Sequence, residues 1–106
     1  MYLTTLEQQI VAAVIALRGN GYGVSIQTKI EEAVGRPPSL GSVYASLDRL
    51  EERGLVSSKH GEATAERGGR RKLLYCVTAP GQRALSASLN AVGALARLAG
   101  MQGALA

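Results

Sequence analysis

The segment Pro37-Pro38-Ser39-Leu40-Gly41-Ser42-Val43-Tyr44-Ala45-Ser46-Leu47-Asp48-Arg49-Leu50-Glu51-Glu52-Arg53-Gly54 decides how the rest of the chain is read. The two prolines force an extended turn, Ser39 offers a side-chain oxygen for a helix N-cap, and Gly54 supplies the stop. Between those signals Leu40, Val43, Leu47 and Leu50 recur at spacings of three and four, which predicts an amphipathic helix with one buried stripe. Its opposite side carries Gly41, Ser42, Ala45, Asp48 and Arg49, small and polar near the start. Such a face can lie against a large partner without steric conflict.

Towards the N-terminus the pattern predicts two more helices. Thr4 or Thr5 caps the first with Glu7 close behind, and Leu6, Ile10, Val11, Val14 and Leu17 follow at helical spacing. Gly19-Asn20-Gly21 ends it near Arg18. The second reads from Val24 to Val34, with Ile26, Ile30 and Val34 on one side, and closes at Gly35.

Towards the C-terminus, Leu55 to Lys59 and Lys72 to Val77 suit a pleat, and a two-stranded hairpin is expected. The stretch from His60 to Arg71 between them is polar and glycine-rich, and is expected to form a long mobile tip. Thr78 then caps a last helix, with Pro80 in its first turn where a missing N–H does no harm. Along that helix Leu85, Leu89, Val92, Leu95 and Ala96 are spaced by three and four, and small residues cover much of the remaining circumference. One small domain cannot easily hide so much apolar surface. A partner helix from a second subunit is the economical explanation, and these five residues are the expected dimer contacts.

The bulk properties agree with a single folded module. The chain has 106 residues, 46% hydrophobic and 19% charged, which is ordinary globular usage. A formal charge of +4 and a pI of about 9.6 make a polyanion the natural macromolecular partner. Cys76 is the only cysteine, so no intrachain disulfide can form, and a reducing cytoplasm is the expected compartment. Lying in the run Leu73-Leu74-Tyr75-Cys76-Val77, it reads as a small buried hydrophobe. No Lys or Arg precedes Arg18, and Ile10 to Leu17 is too short to span a bilayer, so neither secretion nor insertion is expected.

Three helices followed by a hairpin is the order of a winged helix-turn-helix, in which the third helix enters the major groove of duplex DNA. The expected fold is therefore mainly α (α+β): three helices, a β-hairpin wing and a C-terminal dimerisation helix. Charge placement supports this order. Arg67, Arg70, Arg71 and Lys72, beside Gly68 and Gly69, gather where a wing would follow phosphates. On the third helix Ser39, Ser42 and the free N–H groups of its first turn can donate to phosphate oxygens, and Gly41 lets backbone approach closely. Tyr44 lies at the edge of the buried stripe, open to a DNA contact or a boundary role, with Ala45 beside it. Arg49 and Arg53 suit groove or phosphate contacts, or ion pairs with Asp48, Glu51 and Glu52.

Several of these segments together resemble the PadR family of transcriptional regulators. They are Leu3-Thr4-Thr5-Leu6-Glu7, Gly21-Tyr22-Gly23, Ser39-Leu40-Gly41-Ser42-Val43-Tyr44, Leu47-Asp48-Arg49-Leu50-Glu51-Glu52-Arg53-Gly54-Leu55-Val56 and Gly68-Gly69-Arg70-Arg71-Lys72. The strand-into-helix run Tyr75-Cys76-Val77-Thr78-Ala79-Pro80-Gly81-Gln82-Arg83-Ala84-Leu85 fits as well. The resemblance implies a dimeric repressor that binds a near-palindromic operator through its third helix and wing, with the first and last helices making the dimer. It divides the chain into a DNA-binding domain, residues 1–77, and a dimerisation helix and tail, residues 78–106. It also implies a small-molecule effector at the subunit interface. The chain holds no Trp and no Phe, so the aromatic platform of drug-binding relatives is missing in that form, and a single C-terminal helix is similar to the short branch of the family.

Other chemistries find little to stand on. His60 and Cys76 are the sole histidine and thiol, without an acidic cluster at ligand spacing, so no metal site or cofactor is expected and His60 reads as a surface residue. No nucleophile-base set, paired buried carboxylates or phosphate-cradling loop before a helix can be assembled, and catalysis is not expected. The rival readings are a winged-helix module for protein or RNA, and a sensor acting through Cys76 and His60.

Overall fold

The computed structural model describes residues 2–63 and 71–101. Four helices and one hairpin follow in the order α1 (Thr5–Leu17), α2 (Gly23–Val34), α3 (Leu40–Glu52), β1 (Val56–Ala63), β2 (Arg71–Val77) and α4 (Ala79–Leu98). This is the winged-helix arrangement the sequence predicts.

Local chemistry explains the boundaries. Thr4 caps α1 through a reciprocal pair: its backbone N–H donates to Glu7 Oε1 at 2.8 Å, and its Oγ1 accepts from the Glu7 N–H at 3.2 Å. The helix ends where Arg18 turns left-handed, φ 51°. Ser39 Oγ accepts from the Ser42 N–H at 3.1 Å to start α3. Thr78 Oγ1 accepts from the Gly81 N–H at 3.1 Å to start α4, which begins with Ala79 and Pro80. Each cap satisfies an N–H that the helix geometry leaves without an internal partner.

α1 is the central element: it packs against α2, α3, α4 and β2. Ile10, Val11 and Val14 of α1, Ile26 and Ile30 of α2, Val43, Leu47 and Leu50 of α3, and Val56 and Tyr75 of the hairpin form one buried cluster. Each such aliphatic side chain contributes about 1.5–3 kcal/mol on burial, so the stripe on α3 alone fixes which side of that helix faces outward.

The strands pair antiparallel, with Val56 opposite Val77 and Lys59 opposite Leu74. β1 continues to Ala63, beyond the expected end at Lys59, with a register irregularity between His60 and Ala63. A hairpin strand needs only its backbone partner, so the polar run His60 to Ala63 pairs although it lacks the apolar alternation by which strands are recognised. The expected loop is correspondingly shorter, and Arg67, Gly68, Gly69 and Arg70 lie outside the described residues. A third segment joins the wing: the Tyr75 N–H donates to the Gly21 carbonyl at 2.8 Å, tying the α1–α2 turn to β2.

Several single-residue expectations are corrected. Val34 is exposed in the last position of α2, at the edge of an open cavity between α1, α2 and α4, and Leu40 is only half-buried. Cys76 is half-buried, lining a small cavity with Val14, Ile15, Arg18 and Gln82. Arg53 faces inward to the Glu7 carboxylate at 3.0 Å, and does not extend the outer face of α3. The reason is position: Arg53 is the C-cap of α3, which ends beside the first turn of α1.

Candidate nucleic-acid interface

The outward side of α3 is built from its cap. Ser39 Oγ holds the Ser42 N–H and donates to Ser42 Oγ at 2.7 Å, which places two exposed hydroxyls at the helix N-terminus. Gly41 is exposed, and a Cβ there would meet nothing within 4 Å, so the space over the first turn is open. Ala45 is exposed one turn further along. The Arg49 guanidinium donates to the buried Ser46 hydroxyl at 3.2 Å, which holds the head of the side chain close to the helix while the residue remains exposed. No ion pair joins it to Asp48, Glu51 or Glu52 among the described residues; Glu51 accepts instead from Ser58 Oγ of β1 at 2.6 Å.

Tyr44 and Lys72 are set by neighbours the sequence reading passed over. The Tyr44 ring lies on Gly23 so closely that a Cβ at Gly23 would overlap its Cζ and hydroxyl oxygen, yet the side of the ring away from α2 remains open, with Tyr44 43% exposed. Lys72 places its ammonium 4.2 Å from the centroid of the Tyr22 ring, within range of the attraction between a cation and an aromatic face. Consecutive residues therefore hold one side chain of the third helix and one of the wing. Gly23 opens α2 without a positive φ, so its glycine answers to the close approach of Tyr44 and not to the backbone, which only the structure reveals. Arg71 is placed by its backbone in β2, opposite Ala63.

The profile of the transcriptional regulator PadR-like family matches residues 11–87, from α1 through the wing into α4. The chain belongs to the PadR-like family of transcriptional regulators. Among curated proteins no sequence match is found. Solved structures share the fold: a PadR family transcriptional regulator from Eggerthella lenta is 23% identical with a TM-score of 0.75, over 91% of this chain and 79% of that one. A transcriptional regulator from Clostridium thermocellum is 20% identical with a TM-score of 0.74, over 90% and 89%. Bacillus subtilis PadR, solved in complex with operator DNA, is 19% identical with a TM-score of 0.68, over 81% of this chain and 48% of that one.

In this PadR-like chain the residues expected at a dimer contact divide into two groups. Leu85 is 8% exposed and belongs to the protomer's own core with Ala84. Leu89, Val92 and Leu95 are exposed, as is Leu98 beyond them, while Ala96 is half-buried. An open apolar cavity of about 460 Å³ runs along the foot of α4, lined by Ala12, Ala13 and Ala16 of α1, Ile30 of α2, and Leu85 and Leu89. The alanines leave the room that larger side chains would fill.

His60 is exposed in β1, opposite Leu73. Among the described residues no group of three His, Cys, Asp or Glu side chains could hold a metal ion. No helix among them is long and apolar enough to cross a membrane.

Proposed function

We propose that this PadR-like regulator is a homodimeric repressor that binds duplex operator DNA through the N-terminal half of α3 and the wing. The observation that supports this reading is the common seat of Tyr44 and Lys72 on Tyr22-Gly23, where a side chain of α3 and a side chain of the wing meet consecutive residues. Ser39, Ser42, Tyr44 and Arg49 then meet one groove and its flanking phosphates, and the basic residues Arg67, Arg70, Arg71 and Lys72 follow the neighbouring backbone. Residues 1–77 act as the DNA-binding unit. Residues 78–106 act as the dimerisation unit, with the exposed face of Leu89, Val92 and Leu95 meeting a second copy, and the alanine-lined cavity is where a small effector would enter. Transcriptional control places the protein in the cytoplasm.

The test is selection of bound duplexes from a random pool, followed by footprinting. Expected is a near-palindrome with half-sites about one helical turn, ~10 bp, apart. Because Arg71 follows phosphates in this reading, Arg71→Ala weakens binding to all sequences alike and makes the salt slope shallower by about one. A single isolated half-site, or a preference for RNA or a protein partner over any duplex, would overturn the proposal.

A further inference from the structure

We infer that Tyr22-Gly23 is the joint that sets the spacing between the recognition helix and the wing, with Tyr22 a positioning residue for Lys72. The inference deepens the operator-binding reading and rests on it.

Contacts from α2, α3 and the wing meet at this dipeptide and the Gly21 before it. The Tyr22 N–H donates to Ser25 Oγ at 2.9 Å, and Ser25 Oγ reaches the Tyr22 and Asn20 carbonyls at 3.1 and 3.2 Å, so the backbone is pinned to the first turn of α2. The preceding residue, Gly21, accepts from the Tyr75 N–H and thereby fixes the same turn to β2. Three residues earlier in β2, Lys72 extends over the Tyr22 ring. On the other side Tyr44 lies on Gly23. A lysine side chain left to itself samples many rotamers, and a cation spread over them neutralises phosphate poorly. The aromatic face narrows that distribution before DNA arrives, which lowers the ordering cost of binding. The missing Cβ at Gly23 does the corresponding work for the recognition helix, because any larger residue would push the Tyr44 hydroxyl outward.

Both halves can be changed without breaking the core. Gly23 has no positive φ, so alanine meets no backbone strain, and the half-exposed Tyr44 ring can swing into water. The experiment uses the full chain, a labelled duplex carrying the selected site, and titrations at several salt concentrations, with unfolding midpoints taken in parallel. Expected for Tyr22→Leu is a loss of affinity of about two- to fivefold with a salt slope shallower by about one. Tyr22→Phe, which keeps the aromatic face, binds like the parent. In a Lys72→Met background Tyr22→Leu has no further effect. Gly23→Ala weakens binding in the parent and not in a Tyr44→Ala background.

Equal losses from Tyr22→Leu with and without Lys72, or a Phe variant as weak as the Leu variant, would overturn the role of Tyr22. Should Tyr22→Leu fail to fold, the Gly23 and Tyr44 cycle decides, since it leaves Tyr22 in place; additive losses there sink the joint. A parent chain that binds no duplex overturns the operator reading and the joint with it, whereas a parent that binds with both cycles additive overturns the joint alone.

Discussion

Replacing Arg53 by methionine should cost this small protein a large part of its stability, although Arg53 sits at the rim of the fold. Its guanidinium lies 3.0 Å from Glu7 Oε2, the side chains being 31% and 6% exposed respectively. Removing one member of a fully buried pair costs about 3–5 kcal/mol because the other charge stays behind without its partner. Removing an exposed pair costs about 0.2–1 kcal/mol. Here the carboxylate is buried and the cation partly wetted, and the Thr4 N–H still donates to Glu7 Oε1, so the loss should be about 2–3 kcal/mol. For a domain of this size that is a drop in Tm of roughly 10–20 °C. The measurement is thermal unfolding at one fixed protomer concentration, since association contributes to the midpoint. Glu7→Gln and the double variant complete a cycle that separates the pair from other contacts of Arg53. Midpoints within about 2 °C of the parent, or single-variant losses that simply add, would refute the view that this pair clamps α3 to α1.

The remaining predictions address other joints. Gly81→Ala should destabilise by about 2–3 kcal/mol, because a Cβ there would overlap the Leu55 carbonyl oxygen, a backbone atom that cannot swing away; denaturant unfolding measures it. Leu95→Glu, at a position 64% exposed in the protomer, should lower the sedimentation coefficient to the monomer value while far-ultraviolet circular dichroism stays unchanged. An unaltered coefficient would remove Leu95 from the proposed interface. Burial, followed by the nearby Glu51, Asp48 and Tyr44, raises the Tyr75 phenol above its ordinary 10.0. The folded protein therefore keeps that proton to higher pH than the unfolded chain, so the contribution is fully present below pH 10.0 and is lost as pH rises through the folded value. Unfolding followed from neutral into strongly alkaline solution should show this decline, and Tyr75→Phe should reduce it.

Much of the architecture was legible because each helix announces itself by a cap, a stripe and a stop. Thr4 with Glu7, Ser39 and Thr78 all cap as their chemistry suggests, and Val43, Leu47 and Leu50 face the core as their spacing requires. What escaped were contacts between residues far apart in the chain. Nothing in the run Glu51-Glu52-Arg53 says that the arginine will turn to Glu7 and not to its acidic neighbours, because that depends on where α3 ends relative to α1. The outer length of β1 escaped for another reason: the run His60-Gly61-Glu62-Ala63 has no apolar alternation to read, because that pattern arises only where one face of a strand packs on a core. At the candidate interface the polar start of α3 was plain, whereas Tyr22 and Gly23 carry no charge and declare themselves only through what rests on them.

The amide of Leu3 donates to Ser88 Oγ across 85 positions of sequence, with Leu3 and Ser88 both buried. During synthesis Leu3 thus waits for Ser88 to leave the ribosome before it finds its lodging. Until then α1, the pillar of the fold, stands with one flank bare. An arrest of translation anywhere before Ser88 would leave a nascent chain with its later helices outlined and its N-terminal stretch unmoored, recognisable by early cleavage near Leu3 under brief protease exposure.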